Sequence, residues 1–272
     1  MLLGVLESSL AAWVALTAGI AGLLLIDLRV MSGRDGRMTP AFAAKASVFW
    51  IALAVAFGAL VWALSGPEDA SNYLAGYLVE KSLSLDNVFV FLLLLTAFGI
   101  ADDERHRLLT YGIVGALVLR LVFIVVGAAA LQAFGWLNLV FAAVLIWTGW
   151  RLWRHRHDHE GEQTLVEGIR RRLPISDGEH GRRLITRENG RRMLTVGGAA
   201  LAGLIIVDVI FAIDSVPAIL AITDDAFIVF AANAFALMGL RPLFFLVADL
   251  VERLYYLKAA LAALLVVIGA KM

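Results

Sequence analysis

Cysteine is absent from all 272 residues. That excludes disulfides, thiolate metal ligands and a cysteine nucleophile among them, and it assigns no compartment. Charge is scarce: 17% of the residues are charged, against about 25% in soluble globular proteins. The 23 basic and 23 acidic residues cancel, so bulk charge selects no acidic partner and no nucleic acid. Enzyme signatures are also missing. There is no Gly-x-Ser-x-Gly, His-Glu-x-x-His, Walker A or Gly-x-Gly-x-x-Gly pattern. No histidine falls in an expected span, which argues against intramembrane metalloprotease chemistry. An enzyme is not expected, and transport without an ATP site needs a gradient.

In place of charge there is apolar length. The chain is 61% hydrophobic, with a mean hydropathy of +0.85. A helical span takes about 20 mostly apolar residues, and the pattern predicts about eight of them. They lie at 9–28, 46–64, 71–99, 108–131, 135–153, 193–222, 226–249 and 254–271. The expected fold class is all-α, a polytopic helical membrane protein whose first partner is the lipid bilayer. Met1 to Ser9 holds Glu7 and neither Lys nor Arg. A cleaved signal peptide starts with a basic region, so the first apolar run is expected to stay as a span.

The connections alternate in charge. Arg29, Arg34, Arg37 and Lys45 fill the first, Arg105 and Arg107 the third, and Arg253 and Lys258 the seventh. The fifth, 154–192, is dense in arginine. The even ones are nearly free of Lys and Arg, and two are acidic, with Glu68 and Asp69 in one and Asp224 and Asp225 in another. Basic loops stay in the cytoplasm, so the N-terminus is expected outside and 154–192 inside. That segment separates an N-terminal transmembrane half, 1–153, from a C-terminal half, 193–272. Its charges, its glycines and Pro174 read as a mobile linker. A solvated charged loop accounts for its alternating His155, His157 and His159 better than a metal site does.

Two stretches interrupt the apolar pattern in the same way. Val79-Glu80-Lys81-Ser82-Leu83-Ser84-Leu85-Asp86-Asn87-Val88 lies on span three. Val207-Asp208-Val209-Ile210-Phe211-Ala212-Ile213-Asp214-Ser215-Val216-Pro217 lies on span six. Glu80 falls on Asp208, Asp86 on Asp214 and Asn87 on Ser215. Spans three apart cross the bilayer in opposite directions. That is the arrangement of inverted repeats, whose sites lie near the midplane.

Ionisable groups at membrane depth are costly and mark ion or proton paths. Residues seven apart lie about 20° apart on a helix. Glu80, Ser84 and Asn87 thus share a face, and Asp208 and Ser215 share the matching one. Asp86 and Asp214 are turned by about 100° from their neighbours and are expected to face one central cavity. Pro217 lacks a backbone donor and is expected to interrupt span six, freeing carbonyls beside Asp214. Phe89 holds that place in the first motif.

The candidate metal set is therefore Glu80, Asp86, Asn87, Asp208, Asp214 and Ser215, with Asn233 and Asp27 ranked below it. These are oxygen ligands, suited to Mg²⁺, Ca²⁺ or Mn²⁺ rather than Zn²⁺ or Cu⁺. Acids gathered in a low dielectric need a cation or protons to balance them, which makes the proton a candidate coupling ion. The bland alternative is that polar residues only tie helices together, as Asn and Ser often do in membranes. Lys81 is expected as a counter-ion of Glu80. Arg120 and Arg241 are expected as charge partners or snorkelling side chains. Asp27 is expected to pair near Arg29. Gly197, Gly198 and Gly203 permit close helix packing.

The residues 80–91, Glu-Lys-Ser-Leu-Ser-Leu-Asp-Asn-Val-Phe-Val-Phe, and 211–219, Phe-Ala-Ile-Asp-Ser-Val-Pro-Ala-Ile, resemble two signatures of the TerC family of integral membrane proteins. Leu25-Ile26-Asp27-Leu28, the run from Ala232 to Arg241, and Tyr256-Leu257-Lys258 are similar to further family segments. The resemblance implies a relative of LysE-type exporters, associated with manganese export and tellurium resistance. It implies Mn²⁺ as the transported ion, no permanent cofactor, the bacterial inner membrane as location, and the six motif residues as the site. It also implies a further span after Lys271-Met272, where this sequence stops. Two other readings share these residues: delivery of Mn²⁺ to secreted proteins, and a scaffold for a tellurite stress complex, with 154–192 docking partners. A homo-oligomer is compatible with each.

Overall fold

The computed structural model describes residues 10–32, 39–154, 160–176, 183–188, 190–247 and 266–267. In order these form α1 (Leu10–Ser32), α2 (Pro40–Ser65), α3 (Pro67–Ala97), α4 (Asp102–Ala133) and α5 (Leu137–Arg154). There follow α6 (Glu160–Arg172), β1 (Ile185–Glu188), β2 (Arg191–Leu194), α7 (Val196–Leu220), α8 (Ala226–Met238) and α9 (Leu240–Val247). Among the described residues five helical stretches are long and apolar enough to cross a membrane: Leu10–Asp27, Pro40–Ser65, Glu104–Ala133, Val196–Leu220 and Ala226–Leu246. At 31 residues α3 has the length as well; its motif charges lower its hydropathy. The chain is an all-α polytopic membrane protein with one small hairpin. The expected span 254–271 lies outside the described residues, apart from 266–267.

Local chemistry sets the helix boundaries. Thr39 caps α2 by accepting from the Phe42 N–H, with Pro40 at the first helical position, where its missing donor costs nothing. Gly66, at φ 97°, turns the chain between α2 and α3. Asp225 caps α8, accepting from the N–H groups of Phe227 and Ile228, and its charge also suits the positive end of the helix dipole.

One expectation about a break is corrected. Pro217 does not interrupt α7, which runs on to Leu220. The proline sits one turn from the end, so it forfeits a single bond to Ile213, a loss that membrane helices tolerate. The span expected at 226–249 is present as one membrane-length stretch, Ala226–Leu246, with a one-residue break at Gly239 between α8 and α9. Pro242 has no N–H for the Met238 carbonyl and clashes with it, so the helix restarts.

Close contacts give the helix directions. Leu204, Ile205 and Leu220 of α7 pack on Gly112, Gly115 and Gly127 of α4; the numbers rise together, so these helices are parallel. Gly76 of α3 meets Ile219, while Leu94 meets Gly203; α3 and α7 are antiparallel. Gly76 also meets Ala232, and Lys81 meets Ala236, so α3 and α8 are parallel. Thus α3 pairs with α8 as α7 pairs with α4, and the two motif helices run oppositely. This is the geometry expected of inverted halves. α8 is the central helix, buried at every residue from Ala226 to Met238 except the half-buried Phe227.

The expected linker 154–192 has structure of its own. α6 turns Val166 and Ile169 inward, and Ile169 reaches the Gly203 position of α7. β1 and β2 pair antiparallel, Ile185 opposite Leu194 and Glu188 opposite Arg191, with Gly190 at φ 77° in the turn. Thr195 then caps α7, its hydroxyl donating to the Arg183 carbonyl and accepting from Gly198 N–H. The hairpin is thereby fastened to the start of the second motif helix.

Candidate functional site

Four helices bring one polar side chain each to the same place: Glu80 from α3, Arg120 from α4, Asp208 from α7 and Asn233 from α8. All four are buried, with exposures of 0%, 0%, 2% and 0%. Arg120 Nη1 donates to Glu80 Oε1 and, at 2.8 Å, to Asn233 Oδ1. Its Nη2 donates to Asp208 Oδ1 at 3.0 Å. Ser84, one turn after Glu80, donates to the same Glu80 Oε1 at 3.0 Å. Asn233 is oriented by its own amide, which donates to the Val229 carbonyl at 3.2 Å. The guanidinium presents a rigid fork of donors, which is why one side chain can hold two carboxylates and an amide at once.

The cluster is not closed. Glu80 Oε2, Asp208 Oδ2, Ser215 Oγ and Arg120 Nε are buried without a hydrogen-bond partner among the described residues. Buried polar atoms normally find partners, and a charged oxygen left alone in a low dielectric is costly. Two carboxylates and one guanidinium also leave a formal charge of minus one. The arrangement can therefore accept a small cation, a proton or water.

The remaining sequence-derived candidates are placed as follows. Asn87 and Ser215 are buried on the faces shared with Glu80 and Asp208, as the seven-residue spacing requires. Asp214 is half-buried and accepts from Thr148 Oγ1 on α5 at 2.9 Å. The side chain of Asp86 lies outside the described residues. Asp27 pairs with Arg241 at 3.2 Å, not with Arg29. The other terminal nitrogen of Arg241 is 3.5 Å from His106 Nδ1, and His106 stacks on Phe245. That set ties α1, α4 and α9 together away from the central cluster. Among the described residues no three of His, Asp and Glu gather as a metal-ligand group.

Lys81 feels the charge of Glu80 but is not the cation that bonds it. Its ammonium lies beside Gly239 and donates to the Ala236 carbonyl at 3.2 Å. Ala236 lies in the last turn of α8, and a cation suits the negative end of a helix. The cation that bonds Glu80 is Arg120, which sequence reasoning left among charge partners of unspecified acids. Thr148 escaped notice altogether, since one threonine in an apolar run carries no signal.

Residues 65–272 match the family described as Integral membrane protein TerC family. An uncharacterized membrane protein of Myxococcus xanthus is 42% identical over 262 residues, covering 96% of this chain and 82% of that protein. A protein of Escherichia coli K12, named as a candidate membrane-bound redox modulator, Alx, is 38% identical over 273 residues, covering 96% of this chain and 84% of its own. A Rickettsia conorii membrane protein is 35% identical over 262 residues, with 96% and 87% covered. No solved structure matches the chain. Paired motifs on antiparallel helices, a family match over most of the length and relatives aligned nearly end to end agree: the chain belongs to the integral membrane protein TerC family.

Proposed function

We propose that this protein is a secondary transporter that exports a divalent cation, Mn²⁺, across the bacterial inner membrane. The observation that carries the reading is the set of unpartnered carboxylate oxygens, Glu80 Oε2 and Asp208 Oδ2, buried where four helices meet. Their hard-oxygen chemistry suits a hard divalent ion, and the resemblance of the two motifs to the TerC signatures selects Mn²⁺ among such ions. Asp214, and Asp86 on the antiparallel helix, extend the acidic path along α7 and α3, with Asn87 and Ser215 supplying neutral oxygens. Cation and proton share these acids as the cavity opens alternately to either side. The reading assigns no catalytic residue and no resident cofactor. The N-terminus lies outside and the α6–hairpin segment inside.

The name of the Escherichia coli relative speaks of redox modulation. With no cysteine in the sequence, thiol exchange is not the route for this chain, whereas control of Mn²⁺ supply is compatible with that name. A second reading, delivery of Mn²⁺ or docking of a stress complex, draws on the folded α6–hairpin segment. It packs against α3 and α7, and exposed arginines such as Arg187 and Arg191 lie on it.

The test is Mn²⁺ uptake by inverted vesicles, wild type beside Asp86→Asn and Asp214→Asn. The export reading expects flux in the wild type and loss of at least ten-fold in both variants. Normal flux in the variants would remove those two acids from the site. Absence of wild-type flux, with Mn²⁺ binding that the variants lose, would favour delivery.

A further inference from the structure

We infer that Arg120 is a tethered cation that occupies the cargo's place in the unloaded carrier and competes with the cargo for Glu80 and Asp208. The inference rests on the export reading and deepens it. The first observation is the position of the charge. Arg120 is wholly buried near the middle of α4 and bonds acids from two antiparallel motif helices at once. Arg241, which ties α1, α4 and α9 together, bonds one acid, Asp27, with a neutral-capable ring, His106, at its other terminal nitrogen. The second is the leftover chemistry. Each acid keeps one buried oxygen without a hydrogen-bond partner among the described residues, so the pair is bridged by Arg120 without being saturated by it.

Charge counting then decides the roles. The two carboxylates carry minus two. A divalent ion alone brings the pair to zero. The guanidinium alone leaves minus one, and both together leave plus one, the least favourable sign for admitting a cation into a low dielectric. Ion and guanidinium therefore exclude each other. Asn233 Oδ1, 2.8 Å from Nη1, offers the guanidinium an acceptor that does not depend on either acid. When the ion arrives, Arg120 lets go of Glu80 and Asp208 while keeping that neutral partner. When the ion leaves, Arg120 returns, and the emptied pair crosses back without a second metal ion. The device gives net export rather than mere exchange of one Mn²⁺ for another. It also holds affinity down, since each binding event displaces an internal competitor.

The experiment compares purified wild type, Arg120→Gln and Arg120→Lys, first by Mn²⁺ binding and then in vesicles by two assays. One assay measures net Mn²⁺ export; the other measures exchange of radioactive Mn²⁺ against Mn²⁺ on both sides. Arg120→Gln is expected to bind Mn²⁺ at least ten-fold more tightly, to keep exchange and to lose net export. Arg120→Lys keeps the charge but loses the rigid donor fork that spans both acids and is expected between the two, so it carries the test should the glutamine variant not fold. Folding is checked by a single symmetrical gel-filtration peak and a wild-type melting profile. Folded variants that bind Mn²⁺ no better than wild type, or that lose exchange together with net export, overturn the inference while wild-type flux leaves the export reading standing. Tighter binding in the variants with no flux in any protein supports the competition and sinks the export reading. No binding and no flux in any of the three sinks both.

Discussion

Lys81 shows how much a single buried charge depends on what the backbone does elsewhere. Its sequence neighbour is Glu80, yet its ammonium serves the Ala236 carbonyl on another helix. That carbonyl lies in the last turn of α8, just before the break at Gly239. Replacing Lys81 with Met keeps the stem's volume and removes the donor. A hydrogen bond from a charged group contributes about 1.5–3 kcal/mol; part of that returns because the variant no longer buries an ammonium. A loss of about 1–2 kcal/mol is expected, seen as an unfolding midpoint lowered by a few degrees in detergent. An unchanged midpoint would mean that the contact contributes nothing. Glu80 and Asp208 were legible in the sequence because a carboxylate stands out in an apolar run. Their shared partner was not, since Arg120 lies 40 residues from Glu80 and 88 from Asp208, and only the packing of α4 against α7 brings them together. Thr148 was silent for a different reason: it has no charge to betray it.

At the scale of elements, small residues decide which helices approach. A Cβ at Gly198 would sit 1.8 Å from the Leu184 carbonyl oxygen, while one at Gly197 would meet nothing nearer than 3.9 Å. The pair makes an internally controlled experiment. Gly198→Ala is expected to push the β1–β2 hairpin off the start of α7, at a cost of about 1–3 kcal/mol for the overpacking. Gly197→Ala is expected to be neutral. Limited proteolysis between residues 176 and 195 reads the difference directly; equal cleavage in both variants would show that the hairpin is not held there. The glycine-rich start of the second motif helix was visible in the sequence as a packing surface. What it packs against was not, because a charged stretch with little apolar periodicity gives no sign of a folded hairpin. Pro217 was misread for a related reason. A proline has the same local effect at Pro217 and Pro242, and only its distance from the helix end settles whether the helix stops.

The whole molecule is organised by direction. Spans were readable because apolar length is a property of the chain itself. The opposed crossing of the two motifs was readable from counting spans between them, and the contacts of Gly76 with Ile219 and of Leu94 with Gly203 agree with it. The absolute orientation rests on loop charge alone, and the lack of cysteine makes it simple to test. Single cysteines placed by Gly135→Cys, Asp224→Cys and Arg187→Cys, all exposed positions, create unique thiols. Positive charge retained inside puts the α4–α5 turn at Gly135 and the α7–α8 turn at Asp224 on the outer side, and the hairpin at Arg187 within. A membrane-impermeant maleimide added to spheroplasts should label the first two at once and the third only after permeabilisation. Labelling of Arg187→Cys alone would reverse the molecule, turning the proposed exporter's cytoplasmic face outward. Labelling of Gly135→Cys and Asp224→Cys on opposite sides would be more serious. Those turns end parallel helices, α4 and α7, so separating them would undo the antiparallel pairing of the motif helices on which the central cluster depends.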